Sequence, residues 1–374
     1  MNRSAEAQRI VDTDTAVDLN QSDVSRSGDG PRDQQGRSAE MPRLAAAALK
    51  AQPGAEETFP YYSAIYDKLC QHEEAMIAFG KLVTARATEV SAYSEVLNKL
   101  VAVQNFNATR LDKLAQIEAE RAWSDELAKP RHADPKRLVR YGFKVYSQCD
   151  EDGIIQEIFK RIGPANRAFV EFGVESGIEC NSVKLLMEGW RGLWIDGSEK
   201  YCEQIATRFR PFIERRQLAV TRAFITAENI NELIGQGGLQ GEIDLLSIDI
   251  DNNDYWVWKA IDVVQPRVVV IEYNATLRPP LSLVVPYDPI QTWDGSNYFG
   301  ASLEALVRLG RTKGYRLVGC NFAGANAFFV REDLTKDLFL DPPTAEEHYE
   351  PPRYYLGQLF KAGHRAQPGP YLAV

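Results

Sequence analysis

A chain of 374 residues, 44% hydrophobic and 25% charged, has the composition of a globular protein with room for one large domain and an accessory segment. The formal net charge of −9 supplies no basic footprint, which argues against nucleic acid as the main partner. Five scattered cysteines (Cys70, Cys149, Cys180, Cys202 and Cys320) include no CxxC pair, so they read as reduced thiols rather than a disulfide frame or a zinc site.

No apolar run approaches the ~18–20 residues of a membrane helix, and Met1-Asn-Arg-Ser-Ala-Glu6 lacks a signal peptide's apolar core. A cytoplasmic protein without a membrane span is expected. Residues 1–58 are rich in Asp, Ser, Gln, Arg, Gly and Ala. They carry too little apolar surface to offset the entropy of ordering and are expected to be disordered. Residues 59–128 form a long helical, coiled-coil-like segment. Leu69, Met76, Val83, Val90, Leu97 and Leu111 recur at heptad spacing with Gln104 as a polar interruption, and Phe79, Tyr93, Leu100 and Leu114 follow three residues behind. Polar His72, Arg86 and Asn107 weaken the seam, while Gly80 and Asn105 to Asn107 are candidate breaks. Two readings stay open, a helical hairpin folded onto the rest of the chain or a homo-oligomeric coiled coil through residues 62–126. Residues 129–140, with Pro130 and Pro135, read as a linker.

The next domain spans 141–333. It opens on the polar cluster Tyr146-Ser-Gln-Cys-Asp-Glu-Asp-Gly153 and an amphipathic helix that Gly163-Pro164 stops. The acids at 150–152 suit a helix N-terminus; alternatively Gln148 and Glu151 lie at the rim of a binding crevice. Residues 169–181 then run from a buried apolar strand into Glu171, the two glycines Gly173 and Gly177, and the polar pair Asn181-Ser182 before a helix-period run. Strand, tight loop and helix start follow in the order a nucleotide-binding crevice requires. Strands are expected at 168–172, 192–196, 217–222, 243–249 and 267–273, with helices near 181–188, 199–209, 228–234, 255–260 and 303–313. That alternation means an α/β, Rossmann-like, mostly parallel sheet covered on both faces. Strands at 315–321 and 326–331 are joined by about four residues and can pair only antiparallel. A seven-stranded sheet closing in an antiparallel hairpin is similar to the plan of class I S-adenosylmethionine (SAM) methyltransferases; a nicotinamide-type oxidoreductase conflicts with it. Residues 334–374 contain three Pro-rich spots and several tyrosines and read as an irregular tail.

Ligands of such sheets sit beyond the carboxyl ends of the strands, and four strands here end in polar chemistry. The first ends at Glu171 and the glycines. The second ends at Asp196, 25 residues after Glu171, near the ~20 expected of a ribose-binding carboxylate. The fourth ends in Asp249-Ile-Asp251-Asn252-Asn253-Asp254, where Asp254 reads as the cap of the following helix. The fifth ends in Glu272-Tyr-Asn274. Residues 275–301 form a long segment at the same end of the sheet. They are expected to cover the acceptor, with Trp293 and Tyr298 either as stacking faces or as pins to the core.

Residues 169–181, the Asp249-x-Asp251-Asn252-x-Asp254 segment, the Tyr146-Ser-Gln…Glu151-Asp-Gly153 entry and the closing hairpin together resemble the FkbM-type family of SAM-dependent methyltransferases. The resemblance covers roughly residues 140–333. The family's fourth-strand pattern is approximately D-x-E-G-x-E; here aspartates stand for the glutamates and Asn252 for the glycine, which asparagine's tolerance of left-handed backbone allows. The resemblance implies O-methylation of a hydroxyl on a sugar, glycolipid or other natural product, a small-molecule or glycan acceptor, and SAM as cofactor. Glu171, Gly173, Gly177, Asn181, Asp196 and Asp249 are then cofactor residues. Asp249 or Asp251 is the proton acceptor, and Gln148, Glu151, Glu272, Asn274, Trp293 and Tyr298 are candidates for the acceptor site. No histidine occurs between His132 and His348, so a histidine base within the sheet is excluded. An alternative use of Asp249, Asp251 and Glu272 or Asn274 is to hold Mg²⁺. The competing functional reading is a non-catalytic scaffold of the same fold that binds a partner through its N-terminal helices.

Overall fold

The computed structural model describes residues 68, 71–78, 90–353 and 363–374. Expected disorder at 1–58 and the candidate break at Gly80 lie outside those residues. Contacts within the chain divide it into two units, Ile10–Leu114 and one containing Ala115–Val374. Residues 71–78 are helical. Helix α1, Val90–Leu127, is 38 residues long and passes through Asn105 to Asn107 without a break. Thr109 bonds back to the Asn105 carbonyl within the helix. Val101, Val103, Phe106 and Leu114 on this helix are exposed, and among the described residues no helix is long and apolar enough to cross a membrane.

The unit ending at Val374 is built on a seven-stranded sheet. Its strands are β1 (Ala168–Phe172), β2 (Arg191–Asp196), β3 (Leu218–Arg222), β4 (Gly241–Ile248), β5 (Val264–Glu272), β7 (Tyr315–Cys320) and β8 (Asn326–Arg331), while a short β6 (Leu283–Val284) lies apart. The spatial order is β3-β2-β1-β4-β5-β8-β7. The β1, β2, β3, β4 and β5 pairings are parallel. β8 pairs antiparallel with both β5 and β7, so it alone runs against the others. This is the Rossmann-like class I methyltransferase arrangement, and every expected strand is present within three residues of its expected limits.

Side-chain alternation explains how both faces are covered. Val170 and Phe172 of β1, with Leu193 and Ile195 of β2, enter one core, packed by α6 (Ile230–Gln236), α7 (Asp254–Ala260) and α8 (Leu303–Thr312). Phe169 and Trp194 point the other way, into a core shared with α2 (Glu151–Ile162), α3 (Val183–Met187), α4 (Glu199–Arg208) and α5 (Arg210–Glu214). Full burial of a Phe169-sized side chain contributes about 1.5–3 kcal/mol, so the two cores hold the strand ends firmly. Ser198 and Ser302 start α4 and α8 by accepting from the Tyr201 and Ala305 amides, the usual N-cap bond.

Two stretches differ from expectation. Residues 129–140 pack into the unit instead of linking to it: Leu138 and Val139 are buried, and Arg131 pairs with Glu350 at 2.8 Å and Arg137 with Glu347. His132 is fully buried beside them, and burial followed by the Arg131 and Arg137 charges pushes its imidazole down to about 4. The end of α1 belongs here as well, since Trp123 stacks on Phe322 at 4.5 Å and Arg353 lies 4.2 Å over the Phe322 ring. The C-terminal tail is tied down by β9 (Leu372–Ala373), which pairs with β6.

Candidate active site at the switch point of the sheet

In the order 3-2-1-4-5 the connections depart in opposite directions from β1 and β4, which makes the crevice between their carboxyl ends the topological switch point. The chain after β1 turns at Gly173 with φ +67°, and a Cβ there would fall 1.7 Å from the Asp249 carbonyl oxygen. Only glycine permits the two strand-end loops to approach this closely. Gly177, φ +75°, lays the same loop on Trp194 and Phe209, whose rings a Cβ would meet at 2.9 and 2.8 Å. The loop is also held sideways by the Gly173 amide donating to the Ile195 carbonyl at 3.1 Å.

Glu171 is the buried fastener of this loop. Its carboxylate accepts from the Asn181 amide at 2.7 Å, the Ser182 amide at 2.9 Å, the Ser182 hydroxyl, and the Ser247 hydroxyl at 3.2 Å. Asn181 Nδ2 in turn donates to Ser247 at 3.0 Å, and Trp194 Nε1 donates to Ser182 at 2.8 Å. Burial raises the Glu171 pKa, with those hydrogen bonds acting against it. Glu171 and Asn181, expected as cofactor contacts, are therefore turned inward: they position the loop from below.

Asp196 stands at the end of β2 and is mostly buried. One oxygen accepts from the Glu175 amide at 2.8 Å and the other from the Ser198 amide at 2.7 Å. A carboxylate offers about four lone-pair positions, so each oxygen keeps one for a ligand hydroxyl. Glu175, at the tip of the loop with φ +47°, escaped the sequence reading. Burial, then the charges of Asp196, Asp251 and Glu179, push its carboxyl up to about 7.

Across the crevice the ends of β4 and β5 bring Asp249, Asp251 and Glu272 together, one oxygen of each lying within 4.8 Å of the others. Asp249 Oδ1 and Glu272 Oε2 are sealed from solvent without a hydrogen-bond partner among the described residues, as are Asp254 Oδ2 and both amide atoms of Asn252. Leaving a buried polar atom unsatisfied costs about 1–3 kcal/mol, so this concentration marks a place prepared for something else. Burial first, and then mutual repulsion with Asp251 and Asp254, raises the Asp249 and Glu272 pKa values well above the carboxylate range.

Several expectations need correction. The left-handed residue of the β4 loop is Asp251, φ +72°, and not Asn252. Asp254 does not cap α7, whose N-cap is Asn253; its Oδ1 accepts from the Ile250 amide at 2.8 Å and closes the loop that carries the acids. Glu151 is fully buried, its Oε1 accepting from Asn321 Nδ2 at 2.8 Å and Asn326 Nδ2 at 2.9 Å. It fastens the hairpin beside the end of β5, where Asn326 pairs with Glu272. Gln148 is half-buried, and Lys144 bridges its carbonyl to Glu179 of the glycine loop, both at 2.9 Å. Asn274 is buried and donates to the Asn297 and Phe299 carbonyls, which anchors the 275–301 segment. In that segment Trp293 donates to the Ser296 carbonyl and sets its ring against Phe299 and His364. Tyr298 donates to the Pro370 carbonyl, and its ring meets Tyr371. Both aromatics pin the segment to the tail.

The polar entry to α2 is equally structural. Asp152 Oδ2 accepts from the amides of Val145, Tyr146 and Ser147 at 2.6 to 2.8 Å. Asp150 accepts from the Phe322 amide at 2.9 Å, and burial followed by the Glu151 charge pushes it up to about 8. Because this value lies above the unfolded one near 3.8, the folded state retains a proton that the unfolded chain releases. Its contribution to stability is present below about pH 3.8 and is lost as pH rises toward 8. Asp150→Asn is expected to lose fewer degrees of melting temperature than wild type between pH 5 and 8. Equal losses in melts followed by circular dichroism would contradict the assignment.

No protein-family model matches the chain, and no curated protein matches its sequence. Among solved structures it is similar to an O-methyltransferase from Bacillus cereus in complex with SAH, at 14% identity and TM-score 0.32, covering 57% of this chain and 88% of that one. A SAM-dependent methyltransferase from Clostridium acetobutylicum is similar at 12% identity and TM-score 0.31, covering 47% and 88%. The glycopeptide N-methyltransferase MtfA with bound SAM is similar at 11% identity and TM-score 0.31, covering 48% and 86%. The fold assignment rests on strand order and direction, which place the chain in the Rossmann-like class I methyltransferase architecture.

Proposed function

We propose that the chain is a SAM-dependent O-methyltransferase of FkbM type acting on a hydroxyl of a sugar, glycolipid or other small natural product. The observation that carries this reading is the crevice at the β1/β4 switch point, where Gly173 touches the Asp249 backbone, Asp249, Asp251 and Glu272 come together, and Glu175 feels the charges of both Asp196 and Asp251. The residues fit the cofactor. Asp196 keeps a lone pair on each oxygen for ribose hydroxyls, and Glu175, on the glycine loop after β1, donates its amide to Asp196 and adds a second carboxyl there. Held by Asp196 and the glycine loop, SAM would supply a methyl group already activated on a sulfonium whose sulfur serves as the leaving group.

The chain's own work is then to align and to receive a proton. Gly173 and Gly177 let the backbone close on the ligand. Asp249 or Asp251 accepts the proton leaving the acceptor hydroxyl; burial and the neighbouring acids raise the proton affinity of Asp249. The test is transfer of labelled methyl from SAM to a panel of sugars and glycolipids. Wild type is expected to label a hydroxyl acceptor, with Asp251→Ala reducing turnover about 100-fold or more while leaving the cofactor Kd within about twofold. Equal losses of cofactor binding in Asp251→Ala and Asp196→Ala would overturn the division of roles.

A further inference from the structure

The acids at the ends of β4 and β5 exceed what one proton transfer requires. We propose that Asp249, Asp251 and Glu272 form a binding site for one divalent, oxygen-seeking cation of the Mg²⁺ or Mn²⁺ kind. One carboxylate oxygen from each already lies within 4.8 Å of the other two. An octahedral ion with ligands at 2.0–2.1 Å sets neighbouring donors roughly 3 Å apart, so the three need to close by at most about 2 Å, within the reach of side-chain rotation.

A second observation points the same way. Asp249 Oδ1 and Glu272 Oε2, from two of the three acids, are sealed from solvent with no partner among the described residues. In the loop that carries Asp249 and Asp251, Asp254 and Asn252 are 1% and 2% exposed and also have unpartnered polar atoms. Acceptor lone pairs buried without donors are what a cation uses. Among the described residues, the charges acting most strongly on Asp249 are Asp251, Asp254 and Glu171, and those on Glu272 are Asp249, Asp254 and Asp251. All are acids, so a bound cation would relieve their mutual repulsion.

The donor set selects the ion. Oxygen donors without histidine suit a hard cation, whereas zinc and copper favour nitrogen and sulfur. Cys180, which is buried, turns its thiol to the Val174 carbonyl. Three carboxylates are few for Ca²⁺, which takes 6–8 oxygens, and are ample for Mg²⁺, which keeps several waters. The three side chains are only half-buried, which leaves coordination positions for water or for an acceptor hydroxyl, made more acidic by the ion. That use rests on the methyl-transfer reading; binding of the ion does not.

The experiment is Mn²⁺ titration of the full chain after chelator treatment, with free Mn²⁺ read by electron paramagnetic resonance. The expected result is one saturable Mn²⁺ per chain, displaced by Mg²⁺ and weakened about tenfold or more by Asp251→Asn and by Glu272→Gln. Glu304→Gln, at an acid paired with Arg308 on the surface of α8, is expected to bind as wild type does. Mn²⁺ should also raise the melting temperature of wild type and not of the two site variants, and circular dichroism reports whether each is folded. Absence of saturable uptake by wild type, or undiminished uptake by both folded variants, overturns the site. A SAM titration in chelator separates the two ideas: cofactor binding without Mn²⁺ uptake removes the cation and retains methyl transfer.

Discussion

Gly173→Ala is expected to remove about 2–5 kcal/mol of stability and to open the crevice. Two costs add. The left-handed backbone, φ +67°, disfavours any residue with a Cβ by about 1–2 kcal/mol. The new Cβ would also stand 1.7 Å from the Asp249 carbonyl oxygen. That partner is backbone at the end of a central strand and has no rotamer by which to withdraw. The loops after β1 and β4 must therefore separate, carrying Asp249 away from its neighbours. Gly189→Ala is the matched control, because Gly189 has φ +87° with nothing within 4 Å of its Cβ position. It should lose only the backbone contribution. Urea denaturation of both variants reads the difference, and equal losses would show that the close approach carries no weight.

Asp196→Ala should weaken SAM binding about 100-fold or more, since hydrogen bonds to a charged group contribute about 1.5–3 kcal/mol each and two ribose hydroxyls are to be held. The substitution also leaves the Glu175 and Ser198 amides without their acceptor, loosening the loop tip on which Glu175 sits. Asp196→Asn retains one acceptor oxygen and should fall between the two. Calorimetric affinities beside melting temperatures separate a lost ligand contact from a lost fold. An unchanged Kd in a folded Asp196→Ala would remove Asp196 from the site.

The sheet was legible because its signals are local. The connection between Cys320 and Asn326 is too short for anything but an antiparallel pair, and runs such as Ala168–Phe172 are apolar enough to be buried on both faces. The convergence of acids was legible too, since strand ends of a parallel sheet share one edge. What escaped depends on distant partners. Leu138 and Val139 sit among polar neighbours, and their burial comes from α2 together with β7, which lies far along the chain. Tyr298 looked like a ligand face until residues 365–374 crossed over the 275–301 segment, with Ser296 bridging to Arg365 and Tyr298 bonding to Pro370. Glu171 and Glu151 looked equally functional as acids near glycines, yet amide, hydroxyl and carboxamide donors from other elements hold both. Glu175 was passed over between its two glycines because only the fold brings Asp196 and Asp251 close enough to raise it. Composition locates such acids; the donors around them decide which are spent on structure and which remain for chemistry.

The account stands most directly on whether the crevice takes a sulfonium nucleoside. Parallel calorimetric titration of the full chain with SAM, S-adenosylhomocysteine and NAD⁺ tests it. Saturable micromolar binding of the first two, without NAD⁺ binding and lost in Asp196→Ala, is the predicted result. Failure of the wild-type chain to bind either SAM or S-adenosylhomocysteine would contradict it and move the weight to a scaffold that has kept the fold without the reaction.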